Sequence, residues 1–194
     1  SRGLGDVYKR QTCELDDIIS MAIKYEMPAL ALTDYSNMFG SFNFVNKVLN
    51  HEINKGLDLD NLKLKPVIGC EFNICIDSTN KSNRDNGYKL PILAKNYEGY
   101  LNLSKLSSYS YQNGFYYVPR IDKNILIENK ENLIILSGSL SGPISQILLE
   151  KGESEARKEI QWWHSNFKDD FYLEINKHAV SDEEFVNSHL INFS

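Results

Sequence analysis

The sequence lacks an excess of positive charge. Its 194 residues include 21 Lys and Arg and 26 Asp and Glu, which gives a formal net charge of -5. A protein that binds nucleic acid through the phosphates generally presents a positive field to them. The composition therefore disfavours independent nucleic-acid binding by this chain.

Cysteine is scarce, and long apolar runs are absent. The three cysteines, Cys13, Cys70 and Cys75, form neither an even disulfide set nor a CxxC pair, and no secretory segment precedes them, so we expect a reducing, cytoplasmic environment. Cys70 and Cys75 stand in an apolar run, and we expect both to be buried free thiols. No run reaches the roughly 18 apolar residues that cross a bilayer, so we expect no contact with a membrane.

Histidine is also rare. There are four, His51, His164, His178 and His189, and no HxH pair occurs. His178 follows a strand-like stretch, and the other three fall in segments with helical spacing and polar neighbours. We therefore expect all four to be solvated or locally hydrogen-bonded rather than to bind a metal.

What the sequence does contain is a regular alternation of helical and strand patterns, with 42% hydrophobic and 11% aromatic residues, enough for a packed globule. Apolar spacing predicts helices over 14–25, 40–53, 97–112, 144–151, 153–167 and 182–193. Short apolar runs predict strands over 29–33, 66–76, 88–96, 133–138 and 170–175. Five strands separated by helices predict an α/β fold with a parallel sheet.

Both ends depart from this pattern. Residues 1–11 show no periodicity, so we expect them to be a non-native tail that adds little to the core. The last predicted helix reaches the final residues without a C-cap signal. The chain is therefore interpreted as a fragment, in which residues 12–194 form a partial domain.

The carboxyl ends of the predicted strands supply the candidate site. In parallel α/β folds these ends meet at one mouth, so the candidates are Asp34, Tyr35, Glu71, Lys89 and the stretch 137–139. A multinuclear metal site there needs several His, Cys, Asp or Glu ligands, and only Asp34 and Glu71 qualify. Asp34 can equally cap the turn that follows it. Glu71 either binds a metal or pairs with another side chain in an apolar strand.

Two further motifs have a functional and a structural interpretation. "SGSLSG" (137–142) has glycines and serines that could bind a phosphate, but it lacks the lysine spacing of a P-loop, so we predict a strand-to-helix turn. "GFYYVPR" (114–120) could stack nucleobases, but core packing beside a rigid proline turn is the prediction.

Several longer strings carry a resemblance to a known family. "MPALALTDYSNMFG", "KPVIGCEF", "GYKLPILAKNYEGYLNL", "GFYYVPRID" and "FYLEI" together resemble the amino-terminal PHP (polymerase and histidinol phosphatase) domain of the α subunit of bacterial DNA polymerase III, in order, over residues 12–194. The resemblance implies a distorted β/α barrel with a trimetal cleft at the strand ends. Here that barrel is expected to be incomplete.

Compared residue by residue, the resemblance implies a decayed metal site. Where metal-binding members have histidines, this chain has Tyr35 and Lys89, and where they have a cysteine it has Ser139. Glu71 is the one ligand position kept, as a vestige, and Asp34 is a weaker metal candidate. Nothing in residues 1–11 matches the first HxH motif of the family. No catalytic residue is expected.

The resemblance implies two alternative functions. In the first, the chain is a noncatalytic scaffold in a cytoplasmic replicative polymerase: it packs against other domains of that polymerase, with a proofreading exonuclease and other replication subunits as further partners. DNA contact and the magnesium of synthesis then belong to domains outside this segment, which itself has no cofactor. In the second, the chain is a small metal-dependent PHP-family phosphoesterase with Glu71 and Asp34 as surviving ligands.

Overall fold

The structure, a computed structural model, describes residues 14–178 and 181–193. The predicted tail over residues 1–11, together with Cys13, lies outside the described residues. The chain divides into two compact units. The first contains the described residues up to Leu32 and Phe39–Val67, and the second contains Thr33–Met38 and the described residues from Ile68 onward.

The first unit is built around two helices, α1 (Leu15–Lys24) and α2 (Ser41–Leu49), each with an apolar face. The helix predicted over 40–53 is too long, because side chains after Leu49 bond to the backbone in a different pattern. His51 Nδ1 accepts the N–H of Ile53 at 3.2 Å, and a short 3₁₀ turn follows at Glu52–Asn54. The buried apolar side chains of this unit are Ile19, Ala22, Phe44, Val48 and Leu64.

Six strands form one mixed sheet. They are β1 (Ala29–Tyr35), β2 (Lys65–Cys75), β3 (Tyr88–Ala94), β4 (Ile121–Asp122), β5 (Leu133–Leu136) and β6 (Phe171–Tyr172). The order is β1-β2-β3-β5-β6, and β4 pairs with the end of β2. Among the described strands this path does not close into a barrel. The predicted α/β class is confirmed.

The prediction of a parallel sheet is wrong for β3. This strand runs antiparallel to both β2 and β5, whereas β2 with β4 and β5 with β6 are parallel. The reason lies in the connection: residues 76–87 join β2 to β3 without a helix, whereas the crossover between parallel strands is usually helical. The start of β3 therefore lies beside the end of β2, with Lys89 opposite Asn73.

Five helices accompany the sheet in the second unit. They are α3 (Tyr97–Gln112), α4 (Lys123–Glu128), α5 (Pro143–Lys151), α6 (Glu153–Phe167) and α7 (Ser181–Phe193). Sequence patterns predicted all of them except α4, which has only six residues and is capped by Asp122, whose carboxylate accepts the N–H groups of Asn124 and Ile125. No helix in the described ranges is long and apolar enough to cross a membrane.

One continuous apolar core holds these elements together. Cys70 and Cys75 are both buried free thiols, as predicted. The largest fully buried apolar side chains of this unit come from strands and helices alike: Trp163, Phe72, Leu90, Ile92, Leu103, Leu106, Ile121, Leu126 and Leu133.

The aromatic segment 114–120 departs from the prediction of core packing. Phe115 and Tyr117 are 47% and 61% exposed. The cause is a tight turn in which the N–H of Tyr116 donates to the carbonyl of Val118 and Tyr117 has a φ of +62°. This turn points the Tyr117 ring outward, so only part of the segment contributes to the interior.

Arg120 stands out among the buried polar and charged side chains, because a guanidinium group is here fully buried. Its guanidinium donates four hydrogen bonds of 2.9 to 3.2 Å to backbone carbonyls, those of Gly114, Asp85, Ser78 and Asn80. Three of these carbonyls belong to the connection between β2 and β3, residues 76–87, hereafter the β2–β3 loop. Arg120 therefore fixes a loop that is rich in turn formers and has no helix of its own.

Replacing Arg120 with methionine should be strongly destabilising, because four buried or half-buried carbonyls lose their donor. We expect the free energy of unfolding, measured by urea denaturation, to fall by about 3 kcal/mol. Arg157→Met is the matched control: Arg157 pairs with Glu153 at 2.7 Å on an exposed helix face and lies 4.5 Å from the Phe193 ring, and its loss should cost no more than about 1 kcal/mol. Equal losses for the two variants would contradict the role assigned to Arg120.

Candidate functional site

The candidate residues lie in the second unit, where β1, β2 and β3 meet. The N–H of Ser36 donates to the carbonyl of Glu71 at 2.8 Å, which holds the end of β1 against β2. Glu71 lies opposite Pro91 of β3, and Lys89 lies two residues before Pro91. Because strand side chains alternate between faces, Glu71 and Lys89 are diagonal neighbours on the same face of the sheet.

The central contact is an ion pair. Lys89 Nζ lies 3.0 Å from Glu71 Oε1, and both side chains are about one-third exposed, at 33% and 28%. The partner of Glu71, which the sequence left open, is therefore an ammonium group. The antiparallel direction of β3 brings Lys89 to this edge from the start of its strand.

Tyr35 completes the surroundings of the ammonium group. Lys89 Nζ lies 4.9 Å from the centre of the Tyr35 ring, within range of a cation–π interaction. The Tyr35 hydroxyl accepts a hydrogen bond of 2.6 Å from Asn73 Nδ2, which also donates to the carbonyl of Pro119 at 2.7 Å. Tyr35 is thus held in place by the same strand that carries Glu71.

The segment 137–142 is a strand-to-helix turn, as predicted. The N–H of Gly142 donates to the carbonyl of Ser139 at 2.8 Å, and α5 begins at the next residue. The N–H of Lys89 donates to the carbonyl of Ser141, so this turn lies against the start of β3. Gly138 has a φ of +76°, and a Cβ there would lie 2.6 Å from the carbonyl oxygen of Lys89, so glycine is required.

The charge of Asp34 affects the pKa of the neighbouring Cys70 thiol. Burial strongly raises the pKa of the Cys70 thiol, and the negative charges of Asp34 and Glu71 raise it further. Both predicted metal candidates therefore lie near the same buried sulfur. Within the described part of the chain, no group of three or more His, Cys, Asp or Glu side chains is placed to hold a metal ion.

The histidines are exposed or locally hydrogen-bonded, as predicted. His178 Nδ1 lies 2.8 Å from Glu183, His189 Nδ1 lies 2.9 Å from the carbonyl of Phe185, and His164 is exposed on α6. His51 caps the short turn of the first unit instead of lying within a helix.

Sequence reasoning missed two residues near the strand ends. Asn73 follows Glu71 by two positions, so the period of a strand could have placed it on the same face. Glu174 follows β6, and its N–H donates to Ser137 Oγ at 2.8 Å. One of its carboxylate oxygens is buried and has no hydrogen-bond partner among the described residues. For Glu174, the available sequence signal was a charged residue directly after an apolar run.

Comparison with known proteins identifies the family. The model of the PHP domain matches residues 9–178. The chain belongs to the PHP domain family. With this assignment, the open mixed sheet and its helices form an incomplete β/α barrel of the PHP type, as the resemblance implied.

Proteins named DNA polymerase III subunit alpha are similar to this chain. The protein from Borreliella burgdorferi is 38% identical over 185 residues, which cover 93% of this chain and 15% of the relative. The one from Chlamydia trachomatis is 37% identical over 177 residues, covering 89% and 13%. The one from Thermus aquaticus is 37% identical over 174 residues, covering 87% and 13%. The chain thus spans only a small part of the length of these relatives.

The two described thiols should be unreactive in the folded chain. Burial raises the pKa of Cys75 to about 12 and raises that of Cys70 as well, so almost no thiolate forms near neutral pH. In a Cys13→Ser variant, we expect a disulfide reagent such as DTNB to release no colour on mixing with native protein. Both thiols should react after addition of guanidinium chloride. Rapid reaction of the native variant would contradict the burial of these thiols.

Proposed function

We propose that this chain is part of the α subunit of a bacterial replicative DNA polymerase and that it serves that protein by packing rather than by catalysis. The observation that carries the proposal is the ammonium group of Lys89 between Glu71 and Tyr35. The similarity to DNA polymerase III α subunits supplies the parent protein.

The donor set does not fit a trimetal centre. Glu71, the retained ligand position, already pairs with Lys89 at 3.0 Å. A divalent ion bound to the same carboxylate would be repelled by this neighbouring positive charge, and the repulsion is stronger away from bulk water. Tyr35 and Ser139 offer hydroxyl groups, which are poorer zinc ligands than the histidine and cysteine that the resemblance implies at these positions. We therefore propose that the metal site has decayed and that Glu71 and Asp34 are its vestiges.

The same proposal assigns partners and location. The chain packs against other domains of the polymerase, and a proofreading exonuclease and other replication subunits are its further partners. DNA contact and the magnesium used in synthesis belong to domains outside this segment, in keeping with the net charge of -5. The parent works in the cytoplasm, where the bacterial chromosome is copied. The competing hypothesis is a small metal-dependent PHP phosphoesterase that uses Glu71 and Asp34.

The first test concerns metal. After dialysis the chain should retain no stoichiometric zinc or manganese by elemental analysis and should hydrolyse no phosphoester. The combined change Tyr35→His, Lys89→His and Ser139→Cys removes the ammonium group and supplies ligands, so it should raise zinc affinity by about tenfold or more. Lys158→His on the exposed face of α6 is the control and should leave the zinc affinity unchanged. One equivalent of metal in the unaltered chain, lost in Glu71→Ala, would favour the phosphoesterase.

The second test concerns synthesis. The product of the complete reading frame should extend a primed template in the presence of magnesium, whereas the 194-residue chain should neither extend it nor bind it at physiological salt. Lys89→Met in the complete product should leave primer extension unchanged, because the cleft takes no part in the reaction. A complete, folded product that never extends a primer would reject the polymerase assignment.

A further inference from the structure

The second unit contains two Asn-Gly steps, Asn86–Gly87 and Asn113–Gly114. In such a step the backbone nitrogen of the glycine can attack the side-chain amide of the asparagine, because the glycine has no Cβ to hinder the approach. The product is a five-membered succinimide ring, and its formation releases ammonia. Both asparagine side chains are exposed to solvent. The groups around each step therefore decide which of the two reacts.

The first step has a carboxylate bonded to its attacking nitrogen. Asn86 lies in the β2–β3 loop, and the N–H of Gly87 donates to Asp85 Oδ1 at 2.9 Å. A base must lie within hydrogen-bond reach of the proton that it takes, and this distance meets that condition. Asp85 is held in place, because its other oxygen accepts the N–H of Ile76 and Arg120 binds its backbone carbonyl, each at 2.9 Å. The proton of the attacking nitrogen therefore has an acceptor in the folded chain.

A cation lies beside the amide that is attacked. Arg84 Nε donates to Asn86 Oδ1 in a long contact of 3.4 Å. This oxygen gains negative charge when the amide carbon is attacked, and a positively charged donor stabilises that charge. The guanidinium is supported by Tyr117, whose ring centre lies 4.8 Å from its Cζ. Stacking uses the face of the guanidinium and leaves the N–H groups at its edge to donate.

The second step lacks both of these groups. The N–H of Gly114 donates to the backbone carbonyl of Tyr109 at 3.1 Å, and an amide carbonyl is far too weak a base to take this proton. Asn113 ends α3, and its own N–H donates to the same carbonyl at 2.9 Å. Gly114 is buried, and a Cβ there would overlap the carbonyl oxygen of Arg120. In the described ranges, no carboxylate accepts the N–H of Gly114 and no cation donates to the side-chain oxygen of Asn113.

From this difference we propose that Asn86 is a site of spontaneous deamidation in the folded chain and that Asn113 is not. Asp85 takes the proton of the Gly87 N–H as this nitrogen bonds to Cγ of Asn86. Arg84 stabilises the negative charge that forms on Oδ1. The bond from Cγ to Nδ2 then breaks, and ammonia leaves with the proton from Asp85. Water opens the succinimide at one of its two carbonyls, which gives aspartate or isoaspartate at position 86.

The reaction changes a tightly packed connection. At Gly87, where φ is +71°, a Cβ would lie 2.6 Å from the carbonyl oxygen of Ile74, so the main chain has little spare room. Isoaspartate adds a methylene group to the main chain, and either product places a second negative charge next to Asp85. Deamidation therefore alters both the charge and the backbone of the loop that Arg120 holds. The proposal does not depend on the polymerase assignment, because it uses only the residues around this step.

The test is peptide mapping by mass spectrometry after prolonged incubation of the 194-residue chain at neutral pH and physiological temperature. The peptide that contains Asn86 should show conversion of the amide to an acid, at a rate about tenfold or more above that of the peptide with Asn113. In guanidinium chloride the two rates should become similar, because the same dipeptide then reacts without its folded surroundings. The comparison of the two steps within one chain is an internal control.

Two variants test the assigned groups. Asp85→Asn removes the base but keeps a side-chain oxygen for the backbone N–H groups, and it should slow the reaction at Asn86 about tenfold or more. Arg84→Met leaves those bonds intact and should slow the reaction about threefold. Lys81→Met, in the same exposed loop and with the same loss of charge, is the matched control and should leave the rate unchanged. The proposal is overturned if Asn113 reacts as fast as Asn86 in the folded chain, or if neither Asp85→Asn nor Arg84→Met slows the reaction.

Discussion

The antiparallel direction of β3 is the constraint on which the site depends. Only because this strand enters the sheet beside the end of β2 does Lys89, the second residue of β3, lie on the same edge as Glu71. The same reversal sets the turn 137–142 against the backbone of Lys89. Gly138, which has no side chain, leaves room there for the carbonyl oxygen of Lys89. A parallel β3 would place Lys89 at the far edge of the sheet, and Glu71 would need another partner.

A second constraint is the buried charge of Arg120. The connection that reverses the chain between β2 and β3 contains many turn formers and contributes few apolar side chains to the core, so packing alone cannot order it. Three hydrogen bonds from one guanidinium to carbonyls of this connection help to order it instead. Two arginines, one buried and one exposed, thus give this loop its shape and its surface: Arg120 fixes the backbone, and Arg84 lies on the outside over Tyr117.

The sequence predicted the elements that depend on local periodicity better than the contacts that depend on how distant segments are arranged. Helices α3 and α6 have the predicted bounds, because their apolar periodicity is long and Asn96 and Gly152 mark their starts. Elements β4 and α4 are too short to show a period. Glu71 and Lys89 were both candidates, but at the carboxyl ends of parallel strands, whereas Lys89 lies at the start of an antiparallel strand. Their ion pair was not predicted, since it depends on strand direction and register. The outward turn of Tyr117 reflects a positive φ that no composition signal indicates.

The ion pair between Lys89 and Glu71 also determines where the positive charge that faces Glu71 comes from. A cation that is attached to the backbone by four methylene groups cannot diffuse away, be removed by a chelator or be replaced by a competing ion. Its presence is set when the chain is translated and does not vary with the supply of metal in the cell. The charge that faces Glu71 is therefore supplied by the chain itself.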